Sequence, residues 1–184
     1  MDKRSQNSQQ AIREAFVELV LSQRYDEIKA SDIIKLSGVA RSTFYQHYTS
    51  KEAILASSLQ PPMSCLADAI YADAQLKSLQ NILIHFWEQR SFCRLILQGI
   101  PGKAVAECLT ELIETRIDKI IASNNTALII EPHHAAIQIA EAQLALLRTW
   151  LTGKAKCNDT NLAMAIQHTS VAMFESLQSS PSLF

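Results

Sequence analysis

The sequence predicts an all-α protein, a small three-helix N-terminal head followed by a larger helical bundle. Apolar residues recur at three- and four-residue spacing along most of the chain, the signature of one-sided helices. Only 4 Gly and 5 Pro interrupt the 184 residues, and the hydrophobic fraction of 48% supplies ample core. Tight clusters of breakers stand between long helix-favouring runs and mark the joints.

The first eight residues are polar and read as a loose arm. Lys3 and Arg4 there can meet DNA phosphate or a minor groove, or simply stay solvated. A first helix is expected over about 8–23, with Ala11, Ile12, Ala15, Phe16, Leu19 and Val20 on one stripe. Tyr25 and Ile28 fit the corner that follows.

Residues 29–48, KASDIIKLSGVARSTFYQHY, read as two short helices and a turn. Ser31 and Asp32 can start the first helix, since their side-chain oxygens accept from its unpaired N–H groups. Ile33, Ile34 and Leu36 give it an apolar surface. Gly38 ends it, because Gly enters the left-handed conformation at little cost, and Val39 packs under the turn. The second helix carries Arg41 to His47. This is a helix-turn-helix, whose second helix enters the DNA major groove. Arg41 can bond bidentately to guanine or pair with phosphate, and Gln46 can read adenine. Ser42 and Thr43 offer hydroxyls near the helix start, with the Thr43 methyl available to thymine. Tyr45 and His47 can donate to phosphate. Phe44 and Tyr48 lie four residues apart and are expected to be buried against the first helix.

Thr49 or Ser50 can cap a fourth helix with Lys51 in its first turn. Pro61-Pro62 should kink that helix or stop it near residue 60. Beyond, 63–76 is weakly amphipathic and 78–98 strongly apolar. Gly99-Ile100-Pro101-Gly102 reads as a turn, and a helix follows over 104–123 until Asn124-Asn125. Pro132 opens a helix that runs to Gly153, with Pro at an allowed first-turn position. A last helix spans about 161–178, and 179–184 reads as a loose tail. The helix from Pro132 is apolar on two stripes, one through Ala136, Ala140, Leu144, Leu147 and Leu151 and another through Ile139, Leu146 and Trp150. A helix apolar nearly all round is buried or forms an interface.

The run Ser37-Gly38-Val39-Ala40-Arg41-Ser42-Thr43-Phe44-Tyr45-Gln46-His47-Tyr48, with Ser50-Lys51-Glu52 after it, resembles the signature of the tetracycline-repressor (TetR) family. The resemblance covers about the first 55 residues. It implies a DNA-binding head over 1–50 and a ligand-sensing, dimerising body over 51–184. It further implies a homodimer through the last two long helices, a pseudo-palindromic double-stranded DNA operator and a small-molecule effector. By the same resemblance Lys51 is a phosphate clamp. The family commonly has a Thr cap where this chain has Lys29. Here Lys29 can reach phosphate as a point charge, and Ser31 can take over as cap. The DNA-contact set is thus Lys29, Ser31, Arg41, Ser42, Thr43, Tyr45, Gln46, His47 and Lys51.

Net charge is −1, so any attraction to DNA must come from this local face. Cys65, Cys93, Cys108 and Cys157 form no C-x-x-C pair and are expected to be buried, reduced thiols. No metal site or cofactor is indicated. No apolar run is long enough to span a bilayer, and the N-terminus lacks a signal-peptide core, so a cytoplasmic protein is expected. His133-His134 are adjacent and cannot share a helix face as metal ligands do. His85, beside Phe86-Trp87, is expected to pack in the core. No spacing supports an enzyme. Tyr71, Trp87, Phe92, Cys108 and Gln143 are the candidates for lining an effector pocket between helices. The function that the resemblance implies is a ligand-released repressor. The alternative is a helical interaction protein of the same fold that has lost DNA binding or effector sensing.

Overall fold

The computed structural model describes residues 3–154 and 156–179. Among these it contains nine α-helices, two single-turn 3-10 segments and one isolated β-bridge. The head begins with α1 (Lys3–Ser22), which buries Ile12, Ala15, Phe16 and Val20. The expected loose arm is therefore helix from Lys3 onward. No Gly or Pro lies between Lys3 and Ser22, so a helix anchored by the apolar stripe propagates back through the polar residues.

A 3-10 turn (Tyr25–Glu27) leads to α2 (Ala30–Ser37) and α3 (Arg41–His47). Gly38 sits between them at φ 67°, the left-handed conformation that the turn requires. Buried Ile33, Phe44 and Tyr48 lock both short helices onto α1.

The helix α4 (Lys51–Ala67) leaves the head, with the Ser50 hydroxyl accepting from the Ala53 N–H at 3.2 Å. It continues through Pro61 and Pro62, so the expected stop near residue 60 does not occur. Buried Leu59, Met63 and Leu66 flank the prolines, so tertiary packing holds the helix where its own ladder is weakened. The two prolines supply no N–H to the carbonyls of Ser57 and Ser58.

After a 3-10 turn (Asp68–Ile70) come α5 (Leu76–Glu88) and α6 (Arg90–Ile96). The apolar run 78–98 is thus two helices, broken at Gln89 (φ −99°, ψ 23°). The break lets Phe86 stay buried in the body while Phe92 turns to Phe16 of the head, ring centroids 6.4 Å apart.

The helix α7 (Gly99–Asn124) starts at the Gly-Ile-Pro-Gly segment that reads as a turn. Pro101 falls in the first turn, where its missing N–H is no loss. Asn125, at φ 48°, ends the helix as expected. Then follow α8 (Pro132–Leu151) and α9 (Asp159–Ser176), the latter capped by the Asn158 side chain accepting from the Asn161 N–H at 2.7 Å. The last described residues pair back: Ile129 N–H donates to the Leu177 carbonyl and Ser179 N–H to the Ala127 carbonyl, both at 2.9 Å. Ser179 is therefore tied down. The rest of the expected loose tail lies outside the described residues.

Three polar ties cross the body. Gln143 Nε2 donates to the Leu66 carbonyl (3.1 Å) and Ser170 Oγ (2.9 Å), joining α8 to α4 and α9. Arg116 donates to Asp68 (3.0 Å) and Ser64 (2.7 Å). Gln167 Nε2 donates to the carbonyls of Tyr71, Ala72 and Ala74 and holds the turn before α5. No helix among the described residues is long and apolar enough to cross a membrane.

Candidate nucleic-acid interface

The α3 helix owes its placement to Phe44, which is 0% exposed, and to Tyr48 one turn on. With that side committed to the core, Arg41, Ser42, Tyr45 and Gln46 are left exposed together, and Thr43 and His47 are half-buried beside them. Tyr45 stands edge-on to Phe44 at 5.2 Å between ring centroids, and the Arg41 guanidinium lies 5.7 Å over the Tyr45 ring. The aromatic ring thus props a cation at the outer face of the helix, with less side-chain freedom left to lose on binding. Lys29 and Ser31 are exposed at the start of α2.

One expectation at this site needs correction. Ser31 does not cap α2, because it lies inside the helix. The capping position is Lys29, whose side chain has no acceptor, and the Asp32 carboxylate instead accepts from the Lys29 N–H at 2.9 Å. Lys51, expected as a phosphate clamp, is engaged within the chain. Its ammonium donates to the carbonyls of Tyr25 (2.6 Å), Ile28 (2.9 Å) and Asp26 (3.3 Å), and lies 4.6 Å from the Tyr25 ring centroid. All three of its protons have acceptors, and the residue works as a tie between α4 and the corner after α1. Arg24 nearby is paired with Asp26 at 2.9 Å, and this guanidinium holds the Asp26 carboxyl below its usual range.

The five pocket candidates do not converge. Tyr71 lines a body cavity of about 460 Å³ beside Gln167. Trp87 packs on Trp150 at 4.9 Å and carries Arg90 over its face. Phe92 lines a different cavity, between head and body. Cys108 lines a shallow depression beside α4. Gln143 is buried in the core, its Oε1 without a hydrogen-bond partner among the described residues. His85 is exposed on the rim of the head–body cavity, not packed as expected. His133 bonds Glu114 at 2.8 Å, and no group of three ligating side chains among the described residues could hold a metal ion.

Among the cysteines, burial pushes the Cys93 thiol from 9.0 up to about 12, and raises Cys65 and Cys108 in the same direction. Cys157 is exposed, contrary to the expectation of four buried thiols. The loop before α9 puts it there, with its carbonyl accepting from Trp150 Nε1. Only the thiolate reacts, and a rise of this size leaves Cys93 with about a thousandfold less thiolate at neutral pH. Iodoacetamide is therefore expected to label Cys157 first and Cys93 last, by peptide mass spectrometry. Early loss of Cys93 would contradict the packing around it.

The buried face, the left-handed Gly and the exposed polar face together define a DNA-binding-type helix-turn-helix. Residues 12–57 match the sequence model of the bacterial regulatory proteins, tetR family. A stretch of 61 residues is 36% identical to the uncharacterized HTH-type transcriptional regulator YxbF of Bacillus subtilis (strain 168), covering 33% of this chain and 16% of that protein. The chain spans less than half the length of the curated relatives it matches. Among solved structures, a TetR transcriptional regulator from Streptococcus agalactiae 2603V superposes with a TM-score of 0.57 at 24% identity, over 92% of this chain and 96% of that one. The dihydroxyacetone kinase operon activator DhaS superposes with a TM-score of 0.56 at 20% identity, over 94% and 98%. At these identities the structural likeness shows the fold. Over residues 12–57 the chain is thus similar to the bacterial regulatory proteins, tetR family.

Proposed function

We propose that the protein is a sequence-specific transcriptional regulator acting in the cytoplasm, a homodimeric repressor released by a small-molecule effector. The observation that carries this is the exposed face of Arg41, Ser42, Tyr45 and Gln46 on a helix whose opposite side is fixed in the core. Residues 1–50 form the DNA-reading head, with Lys29, Thr43 and His47 at its edges. Residues 51–184 form the sensing and dimerising body. On α8 and α9 most apolar residues serve this chain's own core. Ile137 and Met164 nevertheless stay 40% and 39% exposed, and Ala145 and Ala172 are exposed on the same two helices. A second copy would cover this face, and the two heads would then read the two halves of a pseudo-palindrome.

Footprinting of the purified protein across genomic DNA tests the reading by locating an operator. On that operator, Tyr45→Ala and Arg41→Ala are each expected to weaken binding at least about tenfold, the scale of one good contact, with the unfolding midpoint unchanged. Lys29→Ala should reduce the slope of log affinity against log salt by about one, as expected for one lost phosphate contact. Salt-independent binding, or wild-type affinity in both α3 variants, would remove the assignment. Derepression of the footprinted genes on deletion separates a repressor from an activator.

A further inference from the structure

A cavity of about 670 Å³ lies where the head meets the body, walled by α1 on one side and α4, α5 and α6 on the other. Its floor is apolar: Leu55, Leu59, Phe86 and Ile96 are all buried, and Phe92 is half-buried. The volume falls in the range of small-molecule sites. Its charged groups are acidic in excess. Glu14 and Glu18 stand one helical turn apart on the α1 wall, both exposed. Glu14 accepts from Gln10 Nε2 at 2.8 Å, and Glu18 has no partner among the described residues. Arg13, the one basic side chain of the lining apart from His85, donates to the neutral Gln10 Oε1 at 3.3 Å. Two carboxylates against one guanidinium leave the rim with one net negative charge when His85 is neutral. On the α4 wall sit Ser58 and Pro62. Pro62 has no N–H to give the Ser58 carbonyl. An apolar floor under an acidic rim suits a ligand with a greasy body and a positive charge.

We propose that this head–body cleft is a binding site for a hydrophobic organic cation. The site deepens the regulator reading above, on which its consequence for DNA rests, although binding itself does not depend on that reading. Phe92 faces the cleft and also meets Phe16 of the head at 6.4 Å. A molecule that displaces Phe92 therefore presses on the core that holds α3.

Tetraphenylphosphonium and tetraphenylborate, ions of matched shape and opposite charge, test this by calorimetric titration of the full chain without DNA. The cation is expected to bind at least tenfold more tightly than the anion. Glu14→Gln with Glu18→Gln should weaken the cation about tenfold and leave the anion unaffected or improved. Val17→Trp from the α1 wall and Ser58→Phe from the α4 wall should each abolish cation binding, with circular dichroism melts showing both variants folded. Two independent blocking variants keep the test open if one fails to fold. No cation binding, equal binding of the two ions, or undiminished binding in a folded blocking variant overturns the site. Because DNA is absent, a failure here leaves the operator experiment intact, and a failure to find an operator leaves these titrations decisive for the cleft.

Discussion

Lys51→Met is expected to destabilise the head by about 2–3 kcal/mol, taking hydrogen bonds to a charged donor at about 1.5–3 kcal/mol each and discounting for partial exposure. Methionine keeps the length and apolar stem of the side chain and removes only the ammonium. The carbonyl of Tyr25 would keep a donor, because the Ile28 N–H also reaches it at 3.3 Å. Those of Asp26 and Ile28 lose the Lys51 ammonium at 3.3 and 2.9 Å. The cation over the Tyr25 ring adds about 0.5–1 kcal/mol. The measurement is urea unfolding, together with amide exchange across residues 25–28, which should speed up first. The same variant separates two roles for this lysine. A tie predicts lower stability with an unchanged salt slope for whatever operator binding remains. A phosphate clamp predicts unchanged stability and a slope reduced by about one. The second result would assign Lys51 to the DNA backbone.

This lysine also shows where reading the sequence stops. The helix-turn-helix was legible because its rules are local. Gly38 ends α2 at φ 67°, Phe44 and Tyr48 recur one turn apart and are buried, and the stripe of α1 packs as its spacing predicts. What decides the role of Lys51 is three carbonyls more than 20 residues earlier, brought near by the Tyr25–Glu27 turn. That the prolines do not stop α4, and that Gly-Ile-Pro-Gly opens α7 instead of forming a turn, has a related reason. Breakers lower local helix propensity, but buried Leu59, Met63 and Leu66 around the former, and an allowed first-turn Pro in the latter, outweigh that preference. The five candidate pocket residues share only a side-chain type suited to ligands. Their dispersal over separate cavities and the core follows from which way each helix turns, which composition does not encode.

The joint between α6 and α7 provides the other large expected effect. Gly→Ala inside a helix ordinarily stabilises, by up to about 1 kcal/mol. Gly102→Ala should instead destabilise by about 2–3 kcal/mol, from overpacking and a strained charged hydrogen bond combined. A Cβ on Gly102 would sit 2.8 Å from both the carbonyl carbon and oxygen of Leu97. Those are backbone atoms at the end of α6, and Leu97 is itself buried, so the contact cannot be relieved by rotating a side chain. The first turn of α7 must move away. That Leu97 oxygen also accepts from Arg148 Nε at 3.0 Å, while Arg148 Nη1 reaches Glu141 at 3.0 Å. Displacing the carbonyl therefore strains the bond that ties α8 to the α6–α7 joint. A chain of this size should lose about 5–10 °C of melting temperature. Exposed Lys103, the next residue, is the control, and Lys103→Ala should change little. Arg148→Met alone removes the hydrogen bond without the clash. If the two effects share the Leu97 carbonyl, the double variant Gly102→Ala with Arg148→Met loses less than the sum of the single losses. Strict additivity would show that the clash is absorbed elsewhere. A neutral or stabilising Gly102→Ala would show that the α6–α7 joint yields more readily than its packing implies.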